Sequence, residues 1–343
     1  MYTVLITCVG GDLAPQMIQQ LKNSKRHNVK VVGVDANNDA IGKFFCDEFS
    51  QVPYGNSPEY GQSIKALVDL YNVDLVIPTS DEEAVTLSHS KDLFDNCVIA
   101  CVDSDMIDVL TDKEKTFQFL KEYGVHTPET RIVENYSDLK KSVELMYKDF
   151  GEFVVKPTCA RGGRGVYVIS SKYADIEYFD DRREVHSDMD SFINSLMHKL
   201  ENDMPLLVME RLVEPVIDMD LLGWNGEKIK VVPRCRVNSA VPNDGHILLD
   251  DQSLTELGEK LIKIFKLSWL YDCDLMLDSK GQPCILEINP RQSGSVSVSV
   301  AAGIPLLDDL ISLAKNERSL ISDTKHATGV RVVPYKSLYS IPL

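Results

Sequence analysis

Residues 271–295, YDCDLMLDSKGQPCILEINPRQSGS, gather the groups able to hold a metal ion and an anion side by side. Asp274 and Leu275-Met276-Leu277 read as a strand, Ser279-Lys280-Gly281-Gln282 as a turn, and residues 283–289 as the returning strand. Glu287 and Asn289 are two apart, so their side chains leave one face. Asp274, thirteen positions before Glu287, reaches the same face across the hairpin. Three hard oxygen ligands around one point suit Mg²⁺, which is usually held by few carboxylates together with nucleotide phosphates. Arg291 follows where it would meet an anion beside that metal, and Ser293-Gly294-Ser295 makes a donor-rich loop. The competing reading is an ordinary hairpin with a solvated acidic face. Against it stands an acid on an otherwise apolar strand, which needs a partner or a metal.

A second group of residues suits phosphate. Phe153-Val154-Val155-Lys156-Pro157 is a strand whose charge is Lys156, and residues 166–170 return as another strand. Between them Arg161-Gly162-Gly163-Arg164-Gly165 forms a doubly basic tip whose glycines leave backbone N–H groups free to approach phosphate oxygens. The tip is no Walker loop, since GxxxxGK[ST] is missing. Arg234 and Arg236 share one face of a strand, a pairing suited to carboxylate or phosphate, with two exposed strand arginines as the alternative. Near the start, Gly10-Gly11-Asp12 follows an apolar strand and precedes a helix, so the turn presents N–H groups to a substrate anion. Asp81 lies in the polar cluster 79–83 at a strand's carboxyl end, where open α/β sheets bind ligands; capping of the next helix is the alternative use of this cluster.

Leu286-Glu287-Ile288-Asn289-Pro290-Arg291 resembles the metal-binding signature of the ATP-grasp superfamily. Within it the chain looks most like the carbamoyl-phosphate synthetase large-chain and carboxylate–amine ligase branch, over nearly its whole length. The resemblance implies an ATP-grasp fold preceded by a Rossmann-like pre-ATP-grasp domain, divided as 1–110, 111–205 (linker helix and lid) and 206–343 (metal-bearing subdomain). It implies ATP with Mg²⁺, or Mn²⁺ in its place. The segment opening at Asp112 is similar to the one carrying the family's first nucleotide lysine, which makes Lys113 the counterpart and Lys115 its substitute. Lys156 with the glycine-rich tip resembles the phosphate lid. Glu210, Arg211 and Leu212 match the hinge that holds adenine. The acid for the ribose transfers to Asp218, with Glu214 and Asp220 as competitors.

The implied reaction activates a carboxylate as an acyl phosphate for attack by an amine, releasing ADP and phosphate, with Arg291 and Arg236 as catalytic groups. The alternatives are a phosphotransferase, of kinase or carbamoyl-phosphate type, and an ATP-binding module without chemistry. Dimers are common in the family, so a homodimer is compatible with this reading.

These side chains must be carried by an α/β chain, α+β in parts. Residues 3–9 (TVLITCV) and 29–34 are continuous apolar runs of the kind buried in parallel sheets, separated by a helical pattern; the order strand, glycine turn, helix, strand, acid is a βαβ unit. It lacks the full GxGxxG fingerprint, so a dinucleotide is weakly supported. Further units follow: a helix over 60–71, a strand 73–78, a helix running to Phe94, and a strand 98–102. A helix opens at Asp112 and closes at Gly124; another ends near Gly151. Residues 172–203 read as a loop plus one helix over 189–201, with His186 at the surface. Residues 206–212 read as a strand, 221–226 as a hairpin turn, 254–265 as a helix, 297–314 as helical and 330–343 as a closing strand.

A net charge of −16 argues against nucleic acid or an anionic membrane as partner, so an anionic nucleotide must be drawn by local positive groups and metal. The eight cysteines include no CxxC and no metal spacing, which suggests reduced thiols used as small apolar residues. The first residues show no basic stretch before their apolar run, and no run approaches the length of a membrane span. Together these give a cytoplasmic protein, and small-molecule carboxylate and amine substrates are what the resemblance implies.

Overall fold

The computed structural model describes residues 1–158, 165–179, 184–241, 243–321, 323, 329–335 and 337–340. Its first sheet uses β1 (Tyr2–Ile6), β2 (Val29–Asp35), β3 (Glu48–Gln51), β4 (Leu75–Ile77) and β5 (Val98–Ile99), all parallel, in the order β3-β2-β1-β4-β5. The helices α1 (Ala14–Lys22), α2 (Tyr60–Tyr71) and α3 (Asp81–His89) connect them. Covered on both faces, the central strands are apolar without alternation: Val4, Leu5, Val31, Val32, Leu75 and Val76 are all buried. The chain winds outward from β1 in both directions, which leaves a crevice at the carboxyl ends of β1 and β4. There Ser80 caps α3, accepting the Glu83 N–H. β1 stops at Ile6, short of the predicted Val9, because Cys8 takes a left-handed backbone with φ +48°. α3 likewise ends at His89, before the predicted Phe94.

Two helices, α4 (Ser104–Leu110) and α5 (Lys113–Glu122), lead out of this unit. The Asp112 side chain caps α5 by accepting the N–H groups of Glu114 and Lys115, which sets Lys113 as the first helical residue.

The second sheet holds β6 (Thr130–Val133), β7 (Glu152–Pro157), β8 (Val166–Ser170), β9 (Glu177–Phe179), β10 (Glu184–Ser187) and β11 (Leu206–Glu210), in the order β6-β11-β7-β8-β10-β9. α6 (Tyr136–Phe150) covers one side, capped by Asn135 and ended by Gly151 at φ +73°. The hairpin of β7 and β8 is antiparallel, as expected around the glycine-rich tip. Residues 172–203 differ from expectation. β10 pairs with β8 and β9 with β10, so backbone pairing makes strands of a charged stretch whose composition suggested a loop. The predicted single helix over 189–201 is instead a short α7 (Met189–Ser191), a wider turn over 192–196 and a tighter one over 197–203. His186, expected at the surface, is 3% exposed, bonded to Glu184 at 2.8 Å and set against the Tyr173 ring.

The third sheet contains β12 (Val213–Trp224), β13 (Glu227–Arg236), β14 (His246–Leu248), β15 (Trp269–Leu277), β16 (Pro283–Asn289) and β17 (Arg331–Val332), in the order β16-β15-β12-β13-β14-β17 and antiparallel throughout. β12 runs on through Trp224, so the predicted turn over 221–226 shrinks to Asn225-Gly226, both at positive φ. The predicted closing strand over 330–343 pairs through Arg331–Val332. Ile217, Met219 and Leu221 face the core formed with α8 (Gln252–Ile264), while the alternate residues Asp218 and Asp220 face the other way. α9 (Val296–Ala301) and α10 (Leu306–Ala314) pack against α1, joining the first unit to this sheet in one apolar cluster. Among the described residues, no helix is long and apolar enough to cross a membrane, and no cysteine is disulfide-bonded.

Candidate active site

Strand register builds the site. Asp218 on β12, Asp274 on β15 and Glu287 on β16 lie directly opposite one another, and Asp220, Asp272 and Asn289 form the next row. Five acids and an amide thus share one face of the sheet. All but the fully buried Asp220 line a cleft of about 1170 Å³ together with Lys113 and Lys156, which come from α5 and β7. The Lys113 Nζ stands 3.2 Å from Glu287 Oε2. Burial, reinforced by Lys113, pulls Lys156 down to about 7. Burial alone would raise Glu287, but Lys113 and Lys156 outweigh it and hold the carboxyl below its ordinary value.

Asp272 and Asp274 are in a different state. Burial and the neighbouring Asp272 push Asp274 well up, with Arg236 opposing; burial and Asp218 push Asp272 up to about 7. The Oδ1 atoms of Asp272 and Asp274 are both buried with no hydrogen-bond partner. Buried carboxylate oxygens without donors favour a cation beside them, and an all-oxygen donor set suits a hard one. The residues present therefore fit a hard cation such as Mg²⁺ beside Asp272 and Asp274, where Asp218 also brings an oxygen within 4.8 Å.

Three arginines are tied to these acids. Arg291 Nε lies 3.0 Å from Asp81 Oδ1 and its Nη1 3.3 Å from Asp272 Oδ2, so it links the first α/β unit to the acidic hairpin. Arg236 donates to both Asp218 oxygens at 2.9 and 3.0 Å, and from Nη2 to Asp274 at 3.0 Å. Arg234 differs from the expected open pair: it is fully buried, bonded to Asp220 at 2.9 Å and to Ser295 Oγ at 2.9 Å. Asp220 on β12 and Ser295 before α9 hold its two terminal nitrogens, so it braces the acid row.

The other expected site residues fall as follows. Gly10 gives its N–H to Asp35 at 2.7 Å, so that donor is turned inward; a side chain at Gly11 would meet open space. Asp81 opens α3 and Ser293 shares a hydrogen bond with Ser295, and both line the cleft. Glu210 ends β11, buried, and accepts the Glu129 N–H at 3.2 Å. Arg211 pairs with Glu152 at 3.0 Å and, with Leu212, lines the cleft. Asp218 is held far below its ordinary value: burial raises it, but hydrogen bonds from His246 and Arg236 dominate. At 2% exposure, with His246 at 2.6 Å, it is better placed to orient the acid row than to meet a ribose. Gly165 takes φ +70° before β8; Arg161, Gly162, Gly163 and Arg164 lie outside the described residues. Asp272 and His246 were not anticipated, and Asp220, named as a competitor for the ribose, is instead paired with Arg234. The period-two spacing of Asp272 and Asp274 was the available signal for the first; His246 arrives through a strand pairing that spacing does not show.

Comparison with known proteins accords with this geometry. Residues 202–338 match the model described as ATP-grasp in the biosynthetic pathway with Ter operon, and residues 4–102 match the PylC-like N-terminal domain. The chain is 24% identical to a carbamoyl-phosphate synthase of Methanobrevibacter smithii, over 91% of this chain and 83% of that one. It is 24% identical to the 3-methyl-D-ornithine–L-lysine ligase of Methanosarcina mazei, over 88% of this chain and 70% of that one. The biotin carboxylase domain of Hydrogenobacter thermophilus 2-oxoglutarate carboxylase, solved with magnesium ADP and bicarbonate, shares the fold with a TM-score of 0.66 at 16% identity, over 93% of this chain and 70% of that one. Residues 202–338 thus carry an ATP-grasp domain behind a PylC-like N-terminal domain, and the chain is similar to carbamoyl-phosphate synthases and to carboxylate–amine ligases.

Proposed function

We propose that this protein is an ATP-dependent ligase that activates a carboxylate as an acyl phosphate and passes it to an amine, releasing ADP and phosphate. The observation that carries this reading is the meeting of Lys113 and Lys156 with Asp274, Glu287 and Asn289 in one cleft. Two lysines facing three oxygen ligands form a receptor for a polyphosphate and its cation. Mg²⁺ on those ligands would neutralise the β- and γ-phosphates as charge develops on them.

The chain's own residues supply the rest. Lys113 and Lys156 take phosphate oxygens, and Glu210, Arg211 and Leu212 bracket the nucleoside. Arg291, steadied by Asp81 and Asp272, faces the γ-phosphoryl group. Arg236 provides positive charge for the carboxylate, with Asp81 and Ser293 at the edge of its site. Phosphoryl transfer needs little covalent work from the protein, so positioning and electrostatic stabilisation suffice. The second sheet, closing over the cleft, would keep water from the acyl phosphate.

Incubation of the purified protein with Mg·ATP and a matrix of carboxylates and amines tests this. Phosphate release that requires both substrates is the expected result; no release with any pair would sink the proposal. Replacing Glu287 with Gln is expected to abolish ADP formation, and full turnover in that variant would refute the metal assignment. The likeness to a carbamoyl-phosphate synthase favours a second reading, phosphotransfer to a stable product. Phosphorylated product formed without any amine would support that reading.

A further inference from the structure

A second cluster of metal-ligating groups lies away from the acid row, beside the passage from β11 into β12. His126 in the loop between α5 and β6, Asp278 after β15, and Cys284 on β16 bring Nε2, a carboxylate oxygen and Sγ within 4.8 Å of one another. His126 Nε2 is 3.0 Å from Asp278 Oδ2. The other oxygen of Asp278 accepts the N–H groups of Lys280 and Gln282, each at 2.8 Å, so the turn already orients the carboxylate as an outer shell would. Cys284 is fully buried and Asp278 is 5% exposed, whereas His126 reaches solvent. Glu210 adjoins the group, interacting electrostatically with Asp278, His126 and Cys284.

We infer that His126, Asp278 and Cys284 form a binding site for a borderline-soft divalent cation of the Zn²⁺ class. Imidazole, thiolate and carboxylate in one place suit Zn²⁺, while the all-oxygen cleft suits Mg²⁺, so ligand chemistry sorts the two ions. Ligands at about 2.0–2.3 Å from zinc in a tetrahedron sit roughly 3.3–3.8 Å apart, so the cluster needs only a small contraction. Glu210 or water fills the fourth position. On binding, the Cys284 thiol loses its proton to solvent as the sulfur–metal bond forms. The proton is firmly held without metal, since burial pushes the thiol up to about 12.

The place gives the site a consequence. Glu210 and Glu129 are joined by main-chain hydrogen bonding at the end of the second sheet, and Val213, at the start of β12, pairs with Leu277 next to Asp278. A cation here would staple the root of the second sheet to the hairpin that carries Glu287 and Asn289. Sequence spacing could not reveal it, because His126 and Asp278 are 152 residues apart.

The test is a titration of the reduced, metal-free full chain with Co²⁺, in excess Mg²⁺ to satisfy the all-oxygen ligands. The expected result is a thiolate-to-cobalt charge-transfer band that saturates at one ion per chain and is erased by Zn²⁺. Cys284→Ala should lack the band, and His126→Ala should weaken binding by more than about tenfold. No band, a band that survives in Cys284→Ala, or undiminished affinity in His126→Ala would overturn the assignment. Should Cys284→Ala fail to fold, the half-exposed His126→Ala decides alone, with circular dichroism as its control. Zn²⁺ should also raise the Tm of the wild type but not of His126→Ala.

Discussion

Lys156 shows how a single side chain can be set for its ligand by its surroundings. Burial and the adjacent Lys113 lower it to about 7 from the ordinary 10.5. Between those values the unfolded chain binds a proton that the native one does not. The group therefore costs the fold nothing above pH 10.5, and its penalty grows as pH falls toward 7. A polyphosphate reverses the situation by restoring a counter-charge. Nucleotide binding at pH 8.5 should take up about one proton, read as the dependence of calorimetric binding enthalpy on buffer ionisation. Lys156→Met should remove that dependence, and unchanged proton uptake in the variant would assign it elsewhere. Asp272 makes a related point. It accepts from Asn289 Nδ2 at 3.1 Å, which leaves the amide oxygen of Asn289 for a cation.

Among the elements, α8 packs on the back of the acidic sheet, against β12 and β13. Gly258 faces β13 so closely that an added Cβ would lie 2.5 Å from Val231 Cγ1 and 3.0 Å from Leu221 Cδ2. Two effects compete in Gly258→Ala. The helix gains about 1 kcal/mol of propensity. Overpacking a stiff, buried valine costs about 1–3 kcal/mol. With Val231 and Leu221 both at or under 3.0 Å, overpacking should win, giving a net loss of up to about 2 kcal/mol in urea unfolding. An unchanged or raised midpoint would mean that the sheet can give way there. The antiparallel pairing of β15 and β16 was legible in advance from the turn at residues 279–282, but the bulge between Asp274 and Leu275 that sets Asp274 opposite Glu287 was not. β9 and β10 were not, because their pairing energy comes from β8 and leaves no apolar pattern in their own residues.

At the scale of the molecule, the first α/β unit is locked to the third sheet rather than hung from it. Arg26, just after α1, reaches Asp309 on α10 at 2.7 Å, and Lys230 on β13 reaches its other oxygen at 2.5 Å. Asp309 has no solvent exposure. Removing it in Asp309→Ala takes the buried counter-charge from Lys230, while Arg26 keeps Asp308 at 3.3 Å, and should cost about 3–5 kcal/mol. Denaturant unfolding followed by tryptophan fluorescence checks this, since both tryptophans, Trp224 and Trp269, lie in the third sheet. A loss under 1 kcal/mol would show that water replaces the carboxylate at little cost. Arg291 adds a second tie, to Asp81, at the cleft itself.

What the residues determined by themselves were the local devices: the hairpin with its acids on one face, the caps at Asp112 and Gly151, and the apolar runs of a parallel sheet. Each depends on neighbours a few positions away, where spacing and side-chain chemistry suffice. Only the tertiary structure decided that Arg234 braces Asp220, that Asp218 stands before Asp274, and that His126 meets Cys284. Those partners arrive from distant segments, and a buried charge takes its role from whatever counter-charge packing brings within reach.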